Sequence, residues 1–304
     1  MHILREQIRQ RISATPHARR LFHGRGRCFP GLHDVTIDWL PPVVHLKLYH
    51  PRDEAWLHEL VALIRCEVAS AVAILLQERF LPGSPSSVLW GQMPAVLEIE
   101  EAGLRFRVRL GASQNTGFFL DMARGRQLVR EHAADRKILN LFAYTCSFSV
   151  AALAGQARQV VNLDMNKNAL ALGKTNHLLN QLDGRRVSFL PMEFFRSVSK
   201  LRKLGPFDLV ICDPPAAQGR SFSARTHWPK LIQKLPSLLS DDAEIVACLN
   251  ARAIPSSYLR EQFALGMPQA RLLESLQAGP DFPEADPHAG LIIERYGFHR
   301  DADP

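Results

Sequence analysis

Apolar positions along this chain recur in two rhythms, and the change between them falls near Gly111. Before it, short alternating runs dominate. Residues 35–39 and 43–49 alternate as strands around Pro41 and Pro42, and residues 95–100 with 104–110 read as a hairpin across Glu101, Ala102 and Gly103. Leu57, Leu60, Val61, Ile64, Val68, Val72 and Leu75 form one stripe at helical spacing, which predicts a long helix over 53–80 with Asp53 as its N-cap, ended by a loop over 81–87. Ile3, Leu4, Ile8 and Ile12 predict a short amphipathic helix over 2–13. Beyond Gly111, apolar runs too short for helices alternate with longer Ala- and Leu-rich stretches, the pattern of a buried parallel sheet. The predicted strands are 137–143, 159–164, 186–190, 207–212 and 244–249, then 271–277 and 291–298 on either side of a Pro-rich loop over 279–290. Helices are expected over 127–132 and 148–155, and a third with Ala169, Leu172, Leu178 and Leu179 on its buried side.

The stretch 137–164 organises the rest. A strand leads into the small-residue turn Tyr144-Thr145-Cys146-Ser147, then a helix, then a second strand ending on Asp164. A doubly wound sheet holds a nucleoside in this way, with the turn backbone against the ligand and the carboxylate on the ribose hydroxyls. The strand 207–212 runs into Asp213-Pro214-Pro215. Two prolines cannot extend a parallel strand, so the chain leaves the sheet there. Asp213 therefore shares an edge with Thr145 and Asp164, the edge on which open α/β sheets bind ligands.

Length and composition narrow the class. The 304 residues, 46% hydrophobic, suffice for two cores, and no apolar run approaches the ~20 residues needed to cross a bilayer. The N-terminus is charged through its first turns, unlike a secretory signal, so a cytoplasmic protein is expected. Five scattered cysteines without a C-x-x-C pair argue for reduced thiols rather than a disulfide framework or a zinc site. Of the net charge of +7, most sits in residues 1–30, where Arg5, Arg9, Arg11, Arg19, Arg20, Arg25 and Arg27 face Glu6 alone. This predicts a basic arm that meets a polyanion such as RNA, against the plainer reading of a solvated, frayed terminus.

Four motifs carry a resemblance. NLFAYT, VVNLDMNKNAL and FDLVICDPP, preceded by QNTGFFLDMAR over 114–124, resemble the class I S-adenosylmethionine-dependent methyltransferases of the large-subunit rRNA group, which contains cytosine-C5 and guanine-N7 enzymes. The resemblance spans roughly residues 27–298, with the motifs in the family's order. It implies an α/β fold: a seven-stranded Rossmann-like methyltransferase sheet, doubly wound with its last strand antiparallel, preceded by a smaller α+β domain. The implied division is a basic arm over 1–30, a substrate-docking domain over 31–110 and the catalytic domain over 111–304. S-adenosylmethionine is the implied cofactor. Its pocket would draw on Asn140, Phe142, Tyr144 and Thr145, on Asp164 for the ribose, on Met165 and Asn166 flanking the adenine, on Glu193 for the adenine amine, and on Asp213. Asp121 and Arg124 would be the polar contacts of the covering stretch, with Arg124 on the methionine carboxylate, unless the two merely pair with each other. Cys146-Ser147 departs from the family's glycines, and a positive φ there would cost ~1 kcal/mol or more.

The chemistry required depends on the atom methylated. Guanine N7 offers a free lone pair, whereas cytosine C5 needs a thiolate to add at C6, and an exocyclic amine needs an acceptor and a stacking aromatic. Ala216 stands where that aromatic would follow Asp213-Pro214-Pro215. Cys248 lies near the position of the cytosine-C5 thiol, although one step of strand register separates cleft from core. Cys212 reads as core, and Asn250-Ala251-Arg252 loosely resembles the loop of the guanine-N7 enzymes. The expectation is an RNA base methyltransferase, with guanine N7 ahead of cytosine C5. Asp213 would position the base, Asn250 and Arg252 would line the pocket, and Phe222, His227 or Trp228 would stack on a flipped base. A small-molecule or protein methyltransferase and a non-catalytic RNA-binding descendant are the alternatives. A dehydrogenase is disfavoured because no G-x-G-x-x-G follows the first strand.

Overall fold

A computed structural model describes residues 1–12, 17–111, 114–218, 222–286 and 288–300. Its contacts divide the chain into two units, residues 1–121 with 279–286 and residues 122–278 with 287–304. The first division thus falls after Asp121, not at Gly111. Arg79 Nη1 donates to the Gln114 carbonyl at 2.8 Å, Arg109 N donates to Thr116 O at 2.8 Å, and the Phe118 ring packs on Phe106 at 4.6 Å. These bonds keep 114–121 with the strands that precede it. The segment 279–286 joins the same unit through Arg19, whose guanidinium pairs with Asp281 at 2.9 Å, and through Ala285 N to Gly26 O.

The first unit contains α1 (His2–Arg11), β1 (Arg19–His23), β2 (Val35–Leu40), β3 (Val43–Leu48), α2 (Glu54–Glu67), β4 (Ala73–Glu78), β5 (Ser86–Gly91) and the hairpin β6 (Leu97–Glu101) and β7 (Leu104–Val108). Five strands form a sheet in the order β1-β2-β3-β4-β5, with only β3 and β4 parallel. Two sequence expectations change here. The helix from Asp53, whose Oδ1 does accept Trp56 N at 2.7 Å, stops at Glu67, and the last part of the expected stripe becomes β4. The run Ala73-Ile74-Leu75-Leu76 is apolar on both faces and sits between two partner strands, so ladder pairing overrides the 3.6-residue period. Nor, among the described residues, does the basic segment form a free arm. Leu4 and Ile8 are fully buried against Leu60 and Ile64, while Arg5 and Arg9 pair with Glu67 and Arg20 with Asp38.

The second unit runs α3 (Ala123–Glu131), β8 (Lys137–Leu141), α4 (Ser147–Ala154), β9 (Gln159–Leu163), α5 (Lys167–Leu179), β10 (Val187–Leu190), α6 (Phe194–Leu204), β11 (Phe207–Cys212), the two-residue pair β12 (Ala217–Gln218) and β13 (Phe222–Ser223), α7 (Ala224–Ile232), β14 (Leu239–Asn250), α8 (Tyr258–Gly266), β15 (Ala270–Gln277) and β16 (Leu291–His299). The sheet order is β10-β9-β8-β11-β14-β16-β15, and β16 is antiparallel to both of its neighbours. This is the expected doubly wound sheet with an antiparallel last strand. Strand alternation sends Leu139, Leu141 and Val210 to one core and Ile138, Leu209 and Ile211 to the other, so both faces are covered. On α5 the buried row is Ala169, Leu170, Leu172, Gly173, Asn176 and His177, whereas Leu178 is exposed, contrary to expectation. Among the described residues no helix is long and apolar enough to cross a membrane.

Candidate active site

The sheet order reverses at β8, which lies between β9 and β11. Ligands of open α/β sheets bind at such a switch point, outside the carboxyl ends of the strands. The three strands end in register, because Leu141 pairs with Leu163 on one side and with Cys212 on the other. The residues that leave the sheet therefore stand in a row, with Phe142 between Asp164 and Asp213. At about 4.8 Å per strand, the backbones at the two carboxylates lie about 10 Å apart.

The turn after β8 is tightly held. Ala143 N donates to Leu163 O at 3.0 Å, Cys146 N to Ala143 O at 2.7 Å and Tyr144 N to Asp164 Oδ2 at 2.8 Å. Phe142, Tyr144 and Cys146 have φ of 57°, 48° and 61°. Three side-chain-bearing residues in the left-handed region cost of order 1 kcal/mol or more apiece, so the surroundings must impose the shape. Cys146 thus takes the positive φ that the family's glycine would take at no cost.

Helix α5 supplies much of that constraint. A Cβ added to Gly173 would stand 2.5 Å from Cys146 Sγ, so the absence of a side chain on the helix makes room for the one on the turn. Asn176 Nδ2 donates to Thr145 O at 3.1 Å. His177 lies one position on, with Nδ1 2.7 Å from Gly173 O and Nε2 2.9 Å from Ser149 Oγ. A carbonyl requires Nδ1 to be the donor, so Nε2 accepts from the Ser149 hydroxyl. Burial depresses the imidazole pKa, against the bond to Gly173, and keeps the ring neutral in that tautomer. Ser149 in turn accepts from Asn162 Nδ2 at 3.0 Å, and Asn162 Oδ1 accepts from Asn140 Nδ2 at 2.9 Å. Asn140, expected in the cofactor pocket, commits its side-chain amide to this buried chain beneath the turn.

Asp164 meets the requirement for gripping a ribose. Its Oδ1 accepts from Asn166 N at 2.7 Å and its Oδ2 from Tyr144 N. A carboxylate has about four acceptor sites, so two remain for hydroxyls. The acid is not consumed as a helix cap, because Asn166 caps α5 by accepting from Ala169 N at 3.0 Å. Partial burial raises the Asp164 pKa, opposed by the bonds from Asn166 and Tyr144. Met165 beside it is 47% exposed, an apolar side chain on the rim of the edge.

Other expected residues are placed differently. Glu193 is the N-cap of α6, its two oxygens accepting Phe195 N at 3.0 Å and Arg196 N at 2.8 Å. Asp121 is the last residue of the first unit and lines a cavity there. Arg124 Nη1 donates to Gln277 O at 3.3 Å, at the end of β15. Gly125 beside it packs against Phe148 in the first turn of α4, because a Cβ there would stand 3.3 Å from that ring. Cys248 does not face the cleft. It is fully buried with Val246, Ile293 and Phe148, two residues before the exposed Asn250 that ends β14, on a stretch buried on both faces. Asn250 and Arg252 are the exposed residues at that exit. Trp228 is fully buried and Phe222 nearly so, both in the core around α7, which removes them as base-stacking residues. Residues 219–221 of the expected stacking loop lie outside the described residues. The brace of Ser149, Asn162, Gly173, Asn176 and His177 was not anticipated. Its signal was Asn162, a lone amide in the apolar run Val160-Val161-Asn162-Leu163.

A ribosomal RNA large subunit methyltransferase I from Tolumonas auensis is 26% identical over 310 residues, covering 95% of this chain and 77% of its own. A protein of the same name from Yersinia pseudotuberculosis is 32% identical over 203 residues, covering 64% of this chain and 50% of its own. The chain therefore spans between half and about three quarters of these relatives' length. A SAM-dependent methyltransferase structure from Streptococcus mutans superposes with a TM-score of 0.87 at 27% identity, over 97% of this chain and 81% of that one. A structure with the same values is a methyltransferase complexed with SAH. Residues 19–296, which take in the turn, Asp164 and Asp213, match the S-adenosylmethionine-dependent methyltransferase family model, and the chain belongs to that family.

Proposed function

We propose that this protein transfers a methyl group from S-adenosylmethionine to a base of large-subunit ribosomal RNA, at guanine N7 rather than cytosine C5. The names of the relatives from Tolumonas and Yersinia support the substrate class. One observation carries the choice of atom. The three thiols of the catalytic unit, Cys146, Cys212 and Cys248, are all fully buried. Burial, with the Asp164 charge nearby, holds the Cys146 thiol well above its ordinary pKa, and burial beside Asp213 does the same for Cys212. A cytosine-C5 reaction needs a thiolate at the pyrimidine. The residue exposed at the end of β14 is instead Asn250, whose amide can hydrogen-bond a base edge but cannot add to it.

The cofactor supplies an activated methyl group on a sulfonium, so the protein's task is mainly to position the acceptor in line. Asp164 grips the ribose, the strained turn lies against the adenosyl group, and Asp213, Asn250 and Arg252 orient the base. A guanine N7 lone pair requires no proton removal before attack, which matches an edge without a poised thiolate. Incubation with radiolabelled cofactor and ribosomal RNA, followed by digestion to nucleosides, tests the reading. Labelled 7-methylguanosine is expected. Label in 5-methylcytidine, or none in RNA, contradicts it.

A further inference from the structure

The five-stranded sheet of the first unit has a second face that is polar and nonetheless largely buried. Alternation turns Val44, Leu46 and Leu48 toward α1 and α2 and sends Thr36, Asp38, His45 and Lys47 to the other side. Across the β2–β3 ladder Asp38 stands opposite His45, and Thr36 opposite Lys47. Asp38 Oδ2 accepts from Lys47 Nζ at 2.8 Å, and its Oδ1 accepts from Arg20 Nε. One carboxylate thus fixes two cations in place without neutralising both. Burial would raise the Asp38 pKa, but Arg20 and Lys47 outweigh it and hold the acid ionised well below the usual carboxylate range.

Above this floor lies a cavity of about 190 Å3, lined by Arg20, Lys47, Tyr49, Arg79 and residues 114–121. The Tyr49 ring has the Arg25 guanidinium 4.2 Å from its centroid and that of Arg79 at 5.7 Å. Arg79 is oriented by its bond to the Gln114 carbonyl. Among the described residues that line the cavity, Arg20, Lys47 and Arg79 stand with Asp38 and Asp121, so its charged lining is one cation in excess. Two further polar residues of this sheet face lie outside the lining of the cavity. Thr36 Oγ1 and both ring nitrogens of His45 are buried without a hydrogen-bond partner among the described residues. Burial depresses the His45 pKa, so the ring is neutral and adds polarity rather than charge.

An enclosed, polar cavity with pre-fixed cations and guanidinium donors matches a phosphate group. We propose that this cavity is a phosphate subsite that holds one backbone phosphate of the RNA substrate, with Arg79 as the direct contact and Arg20 and Lys47 supplying fixed charge. The inference rests on the RNA reading above and extends it to a second contact region, in the first unit. It also gives Arg20 and Arg25 a role that a frayed arm would not.

The test is fluorescence anisotropy of a labelled single-stranded oligoribonucleotide over a range of salt concentrations, with the wild type, Arg79→Gln and Arg79→Lys. Arg79→Gln is expected to weaken binding several-fold and to reduce the slope of log K against log salt by about 0.7 to 1, the increment of one phosphate contact. Arg79→Lys should keep the slope, and S-adenosylmethionine affinity should be unchanged in both variants. Wild-type affinity and slope in Arg79→Gln overturn the subsite while leaving the RNA reading in place. A wild type that does not bind RNA overturns that reading, and the subsite with it. If inorganic phosphate alone raises the melting temperature of the wild type but not of Arg79→Gln, while RNA affinity is equal in both, the cavity serves a free phosphate and the proposal falls.

Discussion

The side chain on which cofactor binding turns is the Asp164 carboxylate. It is charged where it stands at the expense of burial, which raises its pKa, and two backbone N–H groups offset only part of that. An acid whose folded pKa is raised binds a proton more readily folded than unfolded, so its ionisation costs stability at neutral pH, and that cost is relieved as the pH falls through the folded value. Ribose binding needs the ionised form as acceptor. Cofactor affinity should therefore fall on acidification, beginning above the 3.8 of an ordinary aspartate. Calorimetric titration with S-adenosylhomocysteine from neutral to mildly acidic pH checks this, and a flat profile would remove Asp164 from the contact. The place of Asp164 at a strand tip was legible in the sequence because the apolar run before it ends on a carboxylate. Cys248 was not, because an apolar strand buried on both faces gives no alternation by which to read which way one thiol points.

At the scale of elements, the account depends on a turn whose shape is imposed by its neighbours. Three left-handed residues without glycine persist because α5 presents Gly173 to Cys146 and Asn176 to Thr145. Gly173→Ala should push Cys146 and the turn apart and lower cofactor affinity by about tenfold, the equivalent of ~1.4 kcal/mol. Cys146→Gly in the same chain should restore it, since it removes both the colliding sulfur and the cost of positive φ. Equal affinity in Gly173→Ala and wild type, by the same calorimetry, would show that the brace does not shape the site. The sequence marked the strands and the turn through run length and small residues. It did not mark the brace, whose long-range hydrogen bonds join residues 13 to 31 positions apart, such as Ser149–Asn162 and Thr145–Asn176, brought together only by crossovers. The expected 53–80 helix failed for a related reason: β4 is set by strands on both sides of it, and its own residues carry the helical spacing as well as the strand one.

At the scale of the whole molecule, an α+β region precedes the βα alternation, as the change of rhythm near Gly111 led one to expect of the order, though not of the boundary. The contact division follows Asp121 because 114–121 is bonded back to the first unit. Charge counting placed the basic residues but not their partners. Glu67, Asp281 and Asp38 lie far along the chain from the arginines they pair with, so the supposed arm is a folded layer. The methyltransferase reading rests on the carboxyl edge of the second unit, whichever base is modified. Isothermal titration of S-adenosylmethionine into the wild type and Asp164→Ala tests that most directly. Binding by the wild type is expected, with a loss of about 10- to 150-fold in the variant, the equivalent of one charge-assisted contact of ~1.5 to 3 kcal/mol, while the variant's circular dichroism stays that of a folded protein. Equal affinity in the two proteins, or no binding by the wild type at millimolar cofactor, would contradict it.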